Sequence, residues 1–371
     1  MPTALLPSFL SDTLGLGASR AAAALGLIEG IADGASGAAR FAGGPLADDP
    51  ARRRATAVGG YATTAVLSSL IGVATAAWQV GVLRSLAWAA RGVRGPSRNA
   101  LLADIAPPSA YGRAYGFERS MDNLGAIGGP LLAIVLVALV GVRTAIVISV
   151  VPGVLAAVAI VVAIRFAPKL TQREHRPLRI QVRPVLRGRL GRLMFGITTF
   201  ELANVAATLL ILHATELIAP GEAYSRTAVL LYAGYNVAAT LIAVPAGLLT
   251  DRRGPTLALV LAAVMFVAAF TGFAFVGASI PLLALLFVLA GLGIGVGETA
   301  ESAAVAGLAP IDERGSAFGL VAAVQAFANL AASAVAGLVW KAVSAEAAFL
   351  YLAGWSILAA VAFAASMRGR G

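Results

Sequence analysis

The sequence predicts an all-α membrane protein made of two pseudo-symmetric six-helix bundles, with 11 full transmembrane helices plus a partial first helix. Three observations predict this fold. Of 371 residues, 59% are hydrophobic and 12% are charged, whereas soluble domains carry about 25% charged residues. Apolar runs long enough to cross a membrane recur along the chain. The second half of the chain also repeats the first at an offset of 203 residues.

The apolar runs give the predicted helices. A helix needs about 20 apolar residues to cross a membrane. A shorter piece, residues 3–16, is too short to cross alone. We expect full spans at 20–44, 57–77, 79–104, 113–140, 143–166, 191–217, 226–249, 255–277, 280–306, 316–341 and 344–367.

The basic residues predict the orientation of the chain. Residues 165–192 hold nine Lys or Arg residues, and most other connecting arginines fall on the same side. This bias places that segment and the C-terminus in the cytoplasm. An alternative is a patch for nucleic acid or anionic lipid, but no aromatic residues interleave the arginines. We therefore expect a lipid bilayer and no nucleic acid as partner.

The internal repeat predicts the domains. "ADIAPPSAYGRAYG" (103–116) aligns without a gap with "AGLAPIDERGSAFG" (306–319). Such self-similarity indicates duplicated bundles. We expect an N-terminal six-helix bundle at 1–166, a basic cytoplasmic linker at 167–190 and a C-terminal six-helix bundle at 191–371.

The offset also predicts that the first helix is incomplete. The counterpart of Gly191 would lie about a dozen residues before Met1. Either the start codon was assigned too late or the helix is truncated. A charged amine at mid-membrane is costly, which favours the first explanation.

A short motif of glycine, aspartate and arginine occurs in both halves, as Gly44, Asp48 and Arg52 in the first and as Gly247, Asp251 and Arg252 in the second. These residues resemble the signature between the second and third spans of the major facilitator superfamily. The resemblance covers the whole chain, although Asp49 and Ala51 replace the usual Arg and Gly, and Pro255 replaces a usual Arg. The gating motif comprises Gly44, Asp48, Arg52, Arg53, Gly247, Asp251 and Arg252.

The resemblance implies a latch that holds an outward-open state. Glycine lets two helix ends approach, and the aspartate can face the positive N-terminus of another helix. The arginines can then hold the aspartate in place. A plain basic loop explains the arginines, but not the recurrence of glycine and aspartate in register.

Two further segments resemble family motifs. Arg84 stands where the family has a fourth-span arginine, although Trp88 replaces a usual glycine. Gly125, Gly129 and Pro130 resemble the fifth-span packing motif of proton-coupled exporters. The alternative is ordinary small-residue packing. Packing also explains "GLGIGVG" (291–297) better than a phosphate-binding loop does, because no strand precedes it.

Charged residues inside the spans are candidate functional groups. In the fourth span, Arg84, Arg91, Arg94 and Arg98 lie within about 80° of one another, and facing lipid would cost them about 10–14 kcal/mol together. Four acids balance them, with Glu118 expected beside Arg98 and Asp122 beside Arg94. A buried ion-pair network and direct substrate or proton handling both fit this balance. The four acids are Glu29, Asp33, Glu118 and Asp122.

The second half has acids without basic partners in that half. They are Glu201, Glu298 and Glu301. An uncompensated buried carboxylate can carry a proton at neutral pH. We expect Glu298 and Glu301 to form the proton or cation site, followed by Glu29 and Asp33. The alternative is that Glu301 pairs with Arg98 as a gate.

Together these features predict a secondary transporter rather than an enzyme. The chain has no cysteine and two histidines, so we expect no metal, no cofactor and no nucleophile–base set. We expect proton-coupled efflux of a small organic molecule by a monomer in the inner membrane of a bacterium. The alternatives are an uptake symporter or facilitator, and a non-transporting sensor or inactive fragment.

Overall fold

The computed structural model describes residues 2–16, 18–166, 188–220 and 226–368. Within these ranges the chain is helical and no strand is present, which confirms the predicted fold class. Residues 167–187 of the predicted linker lie outside the described residues. The helices are α1 (Pro2–Ser8), α2 (Ala18–Asp48), α3 (Pro50–Leu70), α4 (Ala77–Ile105), α5 (Tyr111–Ile148), α6 (Val150–Phe166), α7 (Gly188–Glu201), α8 (Ala207–Ile218), α9 (Arg226–Arg253), α10 (Pro255–Phe275), α11 (Ile280–Leu308), α12 (Arg314–Ala342) and α13 (Ala345–Arg368).

Seven of the described segments are long and apolar enough to cross a membrane, by length and composition. They include most of α3, all of α5 and the helices α9 to α13. Helices α2 and α4 are of similar length, with 31 and 29 residues, but carry charged residues in their interiors.

The repeat is visible in the helix boundaries. Helix α4 begins at Ala77 and ends at Ile105, and α11 begins and ends 203 residues later. Gly141 has a positive φ of 77°, so the helical run of α5 is interrupted there. This break separates the fifth and sixth spans where the sequence predicts it.

The predicted seventh span (191–217) is not one helix. Helix α7 ends at Glu201, and α8 begins at Ala207. The backbone amide of Ala206 donates a hydrogen bond to the Ser333 hydroxyl at 2.9 Å. A break inside a membrane needs such partners for the freed backbone groups. The continuous helix predicted from apolar length is therefore wrong at residues 202–206.

The chain divides into two compact units. Unit 1 spans Met1–Ile105, Gly125–Val182 and Pro310–Ala323. Unit 2 spans Ala106–Leu124, Arg183–Ala309 and Val324–Gly371. Each unit thus includes the beginning of a fifth-span helix from the other half of the sequence. The predicted bundle boundaries remain a prediction.

A core of apolar side chains joins the first residues of the chain to the rest of unit 1. Leu6 of α1 and Phe9 and Leu10 of the following π-helical turn are fully buried. They pack in one cluster with Ile71 and Ile146. The short first segment is therefore part of the folded unit.

In unit 2, the glycines of "GLGIGVG" are packed against neighbouring helices. Methyl groups at Gly291 and Gly295 would collide with the backbone of α9, at Tyr235 and Ala239 respectively. Methyl groups at Gly293 and Gly297 would meet aromatic rings, from α10 and α7. The interpretation of this stretch as close helix packing is confirmed.

We predict that Gly295→Ala destabilises the protein. The added methyl group would lie 2.6 Å from the Ala239 carbonyl oxygen, and overpacking of this kind costs about 1–3 kcal/mol. Gly307→Ala on the same helix is the control, because no atom lies within 4 Å of the added methyl group. It should stabilise α11 by about 0.5–1 kcal/mol. Thermal unfolding of the purified protein in detergent measures both, and equal unfolding temperatures would contradict the prediction.

Candidate functional site

Four polar groups interrupt the apolar helices. We name two of them the Asp48 cap and the Asp251 cap, because each places an aspartate at the beginning of another helix. The third is the Arg84 cluster of unit 1, which comprises Thr3, Glu29, Asp33, Arg84 and Trp88. The fourth is the Glu301 cluster of unit 2, which comprises Glu201, Asn204, Glu301 and Gln325.

The Asp48 cap lies within unit 1. Asp48 is the last residue of α2, and its carboxylate accepts hydrogen bonds from the Ser316 amide, at 2.9 Å, and the Ser316 hydroxyl. Ser316 lies in the first turn of α12, where free amides and the helix dipole favour a negative charge. Gly44 permits this approach, because a methyl group there would lie 3.0 Å from the Ser316 Cα. Burial raises the pKa of the Asp48 carboxyl, and the hydrogen bonds from Ser316 oppose that rise.

The arginines of the first motif bind other partners than Asp48. The Arg53 guanidinium is buried and donates to the Asp104 carboxylate and to the Ala47 carbonyl oxygen. Arg314 approaches the same Asp104 carboxylate at 3.6 Å. Arg52 pairs with Asp49 at 3.5 Å. The Arg53 charge nevertheless acts electrostatically on the Asp48 carboxylate, so the expectation that the arginines hold Asp48 in place stays a prediction.

The Asp251 cap lies within unit 2. Its carboxylate accepts hydrogen bonds from the Gly112 amide at 2.6 Å, and from the Arg113 amide and Nε at 3.1 and 2.9 Å. Gly112 and Gly247 meet backbone to backbone, since a methyl group on either would collide with the other. Arg252 is exposed, and the basic partner of Asp251 is Arg113.

The two caps are counterparts in the repeat. The 203-residue offset aligns Gly112 with Gly315 and Arg113 with Ser316. Both aspartates therefore receive a main-chain donor at an equivalent position, although each copy of the motif departs from the family pattern. The caps differ in their side-chain donor, which is a buried hydroxyl in one and an exposed guanidinium in the other.

The Arg84 cluster surrounds a buried guanidinium. Arg84 is 1% exposed. It donates to Glu29 at 3.0 Å and to the Thr3 hydroxyl at 3.1 Å. Its guanidinium carbon lies 3.3 Å from the centre of the Trp88 ring, and the Trp88 Nε1 donates to Asp33 at 3.1 Å. Trp88, which replaces a usual glycine of the family motif, thus links the arginine to the second acid.

The other fourth-span arginines have different surroundings. Arg91 is exposed, with its guanidinium 5.3 Å from the Trp88 ring centre. The Arg94 guanidinium lies 3.8 Å from the Tyr61 ring centre, and Arg98 donates to Asn99 at 3.4 Å. The buried network expected for all four arginines is therefore not found at Arg91. The pairing of Glu118 with Arg98 and of Asp122 with Arg94 remains a prediction.

The fifth-span motif has open space beside its first glycine. A methyl group at Gly125 or Gly128 would meet no described atom within 4 Å. Gly129 is half-buried, and Pro130 is exposed within a continuous stretch of α5. The expected tight packing is absent at Gly125, and the proposed link to export remains a prediction.

The Glu301 cluster joins two buried carboxyl groups through one amide. Glu201 and Glu301 are 3% and 1% exposed. The Gln325 amide nitrogen donates to Glu201 at 3.2 Å and to Glu301 at 2.8 Å. Asn204, in the break after α7, donates to Glu201 at 3.0 Å. The other oxygen of Glu301 is buried and accepts no hydrogen bond from the described residues.

Glu298 is not part of this amide-linked pair. Its carboxylate lies 3.2 Å from the Arg119 guanidinium of α5, and both side chains are about one-quarter exposed. The sequence predicts no basic partner for Glu298 in its own half, and Arg119 indeed comes from the other half of the sequence. The inference that the Glu298 carboxylate is uncompensated is wrong, because the beginning of α5, which carries Arg119, belongs to unit 2.

The Glu301 cluster can bind a proton. Two ionised carboxylates without a bonded cation are costly to bury, and loss of one charge relieves that cost. Among the described residues, the Glu301 cluster included, no three Asp, Glu or His residues are grouped so that they could hold a metal ion.

Sequence reasoning missed Gln325, Asn204 and Arg119. The repeat carried a signal for the first of these, because the offset aligns Gln325 with Asp122 and Glu301 with Arg98. A charged pair of positions in the first half thus becomes an acid and an amide in the second. Asn204 carried no comparable signal, since it lies inside an apolar run of membrane-crossing length.

Comparison with known proteins identifies the family of this chain independently of the site geometry. The family model described as Major Facilitator Superfamily matches residues 1–218 and 193–370. An uncharacterised MFS-type transporter of Methanocaldococcus jannaschii is 26% identical over 332 residues, which cover 88% of this chain and 82% of that protein.

Solved structures share the fold. A bacterial homologue of the iron transporter ferroportin, in an outward-facing state, is similar with a TM-score of 0.75 at 15% identity, over 99% of this chain and 96% of that one. The E. coli fucose:proton symporter is similar with a TM-score of 0.74 at 18% identity, over 98% and 96%. At such identities the likeness shows the fold alone.

We predict that Asp48→Ala opens the Asp48 cap. Losing a helix cap costs about 1–2 kcal/mol, so the contact between α2 and α12 should open about tenfold more often. Ala47 is fully buried and packs against Gly315. Because the chain has no cysteine, Ala47→Cys provides a single site for maleimide labelling, which should become faster in the double variant.

The control for this experiment is Asp12→Ala in the same Ala47→Cys background. Asp12 is an exposed carboxylate in the π-helical turn, outside the cap. The Asp12→Ala substitution should leave the rate of maleimide labelling at Ala47→Cys unchanged. A rate that is equal in the Asp48→Ala and Asp12→Ala proteins would show that the carboxylate does not hold the two helices together.

Proposed function

The chain belongs to the Major Facilitator Superfamily and is a multi-pass membrane transporter, and we propose that it exports a small organic molecule in exchange for protons. We place it in the cytoplasmic (inner) membrane of a bacterium with its C-terminus in the cytoplasm, because the connecting arginines follow the positive-inside bias. We further propose that the protein functions as a monomer.

The observation that carries the proposal is the Glu301 cluster. Glu201 and Glu301 are buried and share the donors of one neutral amide. The Arg119 guanidinium, whose charge acts on both carboxyl groups, is ion-paired with Glu298. A buried acid with a free acceptor oxygen gains more from binding a proton than an acid that is already paired with a cation. We therefore assign proton binding to Glu301, with Glu201 as its partner.

This assignment changes the role of Glu298. In the structure, Glu298 and Arg119 neutralise each other at 3.2 Å. Arg119 lies seven residues after Gly112, the residue whose amide caps Asp251. One helix, α5, therefore carries both the cap donor and the counterion of Glu298. Movement of that helix would change the charge around the Glu301 cluster and couple proton release to conformation.

The transport cycle follows from these parts. The family resemblance implies that the Asp48 and Asp251 caps hold the outward-open state. Release of both caps would let the two sequence halves rock and open the opposite side, as in other duplicated transporters. A proton bound at Glu301 in one state and released in the other would drive substrate in the opposite direction.

We predict that Glu301→Gln removes proton coupling. The amide keeps the size and the hydrogen-bonding capacity of the side chain but cannot exchange a proton. The substrate is first identified by comparing metabolites released from knockout and overexpressing cells. In reconstituted vesicles with an internal pH dye, the variant should show no substrate-driven proton movement, while substrate-for-substrate exchange continues.

Glu346→Gln is the matched control. Glu346 is a carboxylate in the first turn of α13, and its partner is Ser344 rather than a residue of the Glu301 cluster. That variant should couple like the unmodified protein. Unchanged proton movement in Glu301→Gln would remove Glu301 from the mechanism, and a wild-type protein that moves substrate without protons would indicate a facilitator.

A further inference from the structure

Arg91 occupies an unusual position in unit 1. It is the middle residue of the 29-residue helix α4, and its side chain is exposed. The positive-inside bias accounts for arginines in the connecting segments, but not for one at the centre of a helix. The repeat does not require it either, because its counterpart in α11 is the buried apolar residue Ile294.

The acids near Arg91 are directed elsewhere. Glu29 pairs with Arg84 at 2.9 Å. Asp33 accepts the indole hydrogen bond of Trp88 and acts electrostatically on Arg84. Among the described residues, Arg91 has a contact with the Trp88 ring but no hydrogen bond or ion pair with a carboxylate. The cluster therefore leaves one guanidinium available.

An available cation at the middle of a membrane helix needs water or an anion beside it. A guanidinium binds a carboxylate with two parallel hydrogen bonds, in a geometry that lysine does not reproduce. Trp88 lies next to it and is half-buried, so part of the indole can contact an apolar or aromatic body. The exposed carboxylate of Asp33 disfavours a second negative charge on the same molecule.

We propose that Arg91 and Trp88 bind the carboxylate and the adjoining flat apolar group of the transported molecule. The ligand class is a monocarboxylic acid with an aromatic or similarly planar body. This inference rests on the proposed function, since it names the kind of molecule that the exporter carries. It does not depend on the Glu301 cluster or on the direction of transport.

Equilibrium binding tests the proposal. The chain has four tryptophans, so the triple variant Trp78→Phe, Trp340→Phe and Trp355→Phe leaves Trp88 as the only one. Its fluorescence in detergent is titrated with 4-nitrobenzoate, and then with 4-nitrobenzyl alcohol and 4-nitrobenzylamine as neutral and cationic probes of similar shape. We expect saturable quenching by 4-nitrobenzoate and at least about tenfold weaker binding of the other two.

Variants of Arg91 identify the binding group. Arg91→Gln should raise the Kd of 4-nitrobenzoate at least about tenfold. The Kd of Arg91→Lys should lie between those of the unmodified protein and Arg91→Gln, because lysine keeps the charge but lacks the planar guanidinium. Arg20→Gln is the control, since it removes the same charge from an exposed position about two and a half turns before Glu29. It should leave the Kd within about twofold.

Three results would overturn the proposal. They are equal binding of the three probes, preference for the amine, and a 4-nitrobenzoate Kd that does not change in Arg91→Gln. The titration uses no proton gradient, so it is independent of the proposed coupling. Selective binding of 4-nitrobenzoate together with proton-independent transport would refute the antiport mechanism and leave this site standing.

Discussion

An ionised group on a membrane-crossing helix needs a partner or water, and this constraint arranges the polar interior of the protein. Arg84 has an acid, a hydroxyl and an indole ring as partners. Glu298 forms an ion pair with Arg119. Glu201 and Glu301 have a neutral amide between them, and this is the pair to which the proposed function assigns a proton. Arg84 and Glu298 thus each have an oppositely charged partner, whereas Glu201 and Glu301 share a neutral one.

Close approach of helix backbones makes the two caps possible. Side chains at Gly44, Gly112 or Gly247 would fill the space through which each aspartate reaches the first amides of another helix. A carboxylate at the end of a short side chain can accept a main-chain hydrogen bond only when the helices meet at such distances. The glycine and the aspartate of each motif therefore act together, and neither alone would make a cap.

The sequence predicted those features that depend on spacing along one helix or on the repeat. The cap aspartates, the packed glycines of 291–297 and the break at Gly141 all follow from residue type and register. Features that depend on which distant helices meet were not accessible. Arg119 is 179 positions before its partner Glu298, and nothing in either helix specifies that their faces are adjacent. The break after Glu201 depends similarly on Ser333, which supplies the hydroxyl that makes a non-helical backbone tolerable.

Unit 1 is built from segments that lie far apart in the sequence, and this affects how the protein folds during synthesis. Asp48 and its donor Ser316 are 268 positions apart, and residues 310–323 complete a unit that starts at the N-terminus. The ribosome therefore inserts the early helices long before their last neighbour exists, and contacts of such separation form late. Until translation is nearly finished, the end of α2 stays without its cap, so the nascent chain is most exposed to misassembly and quality-control proteases during that interval.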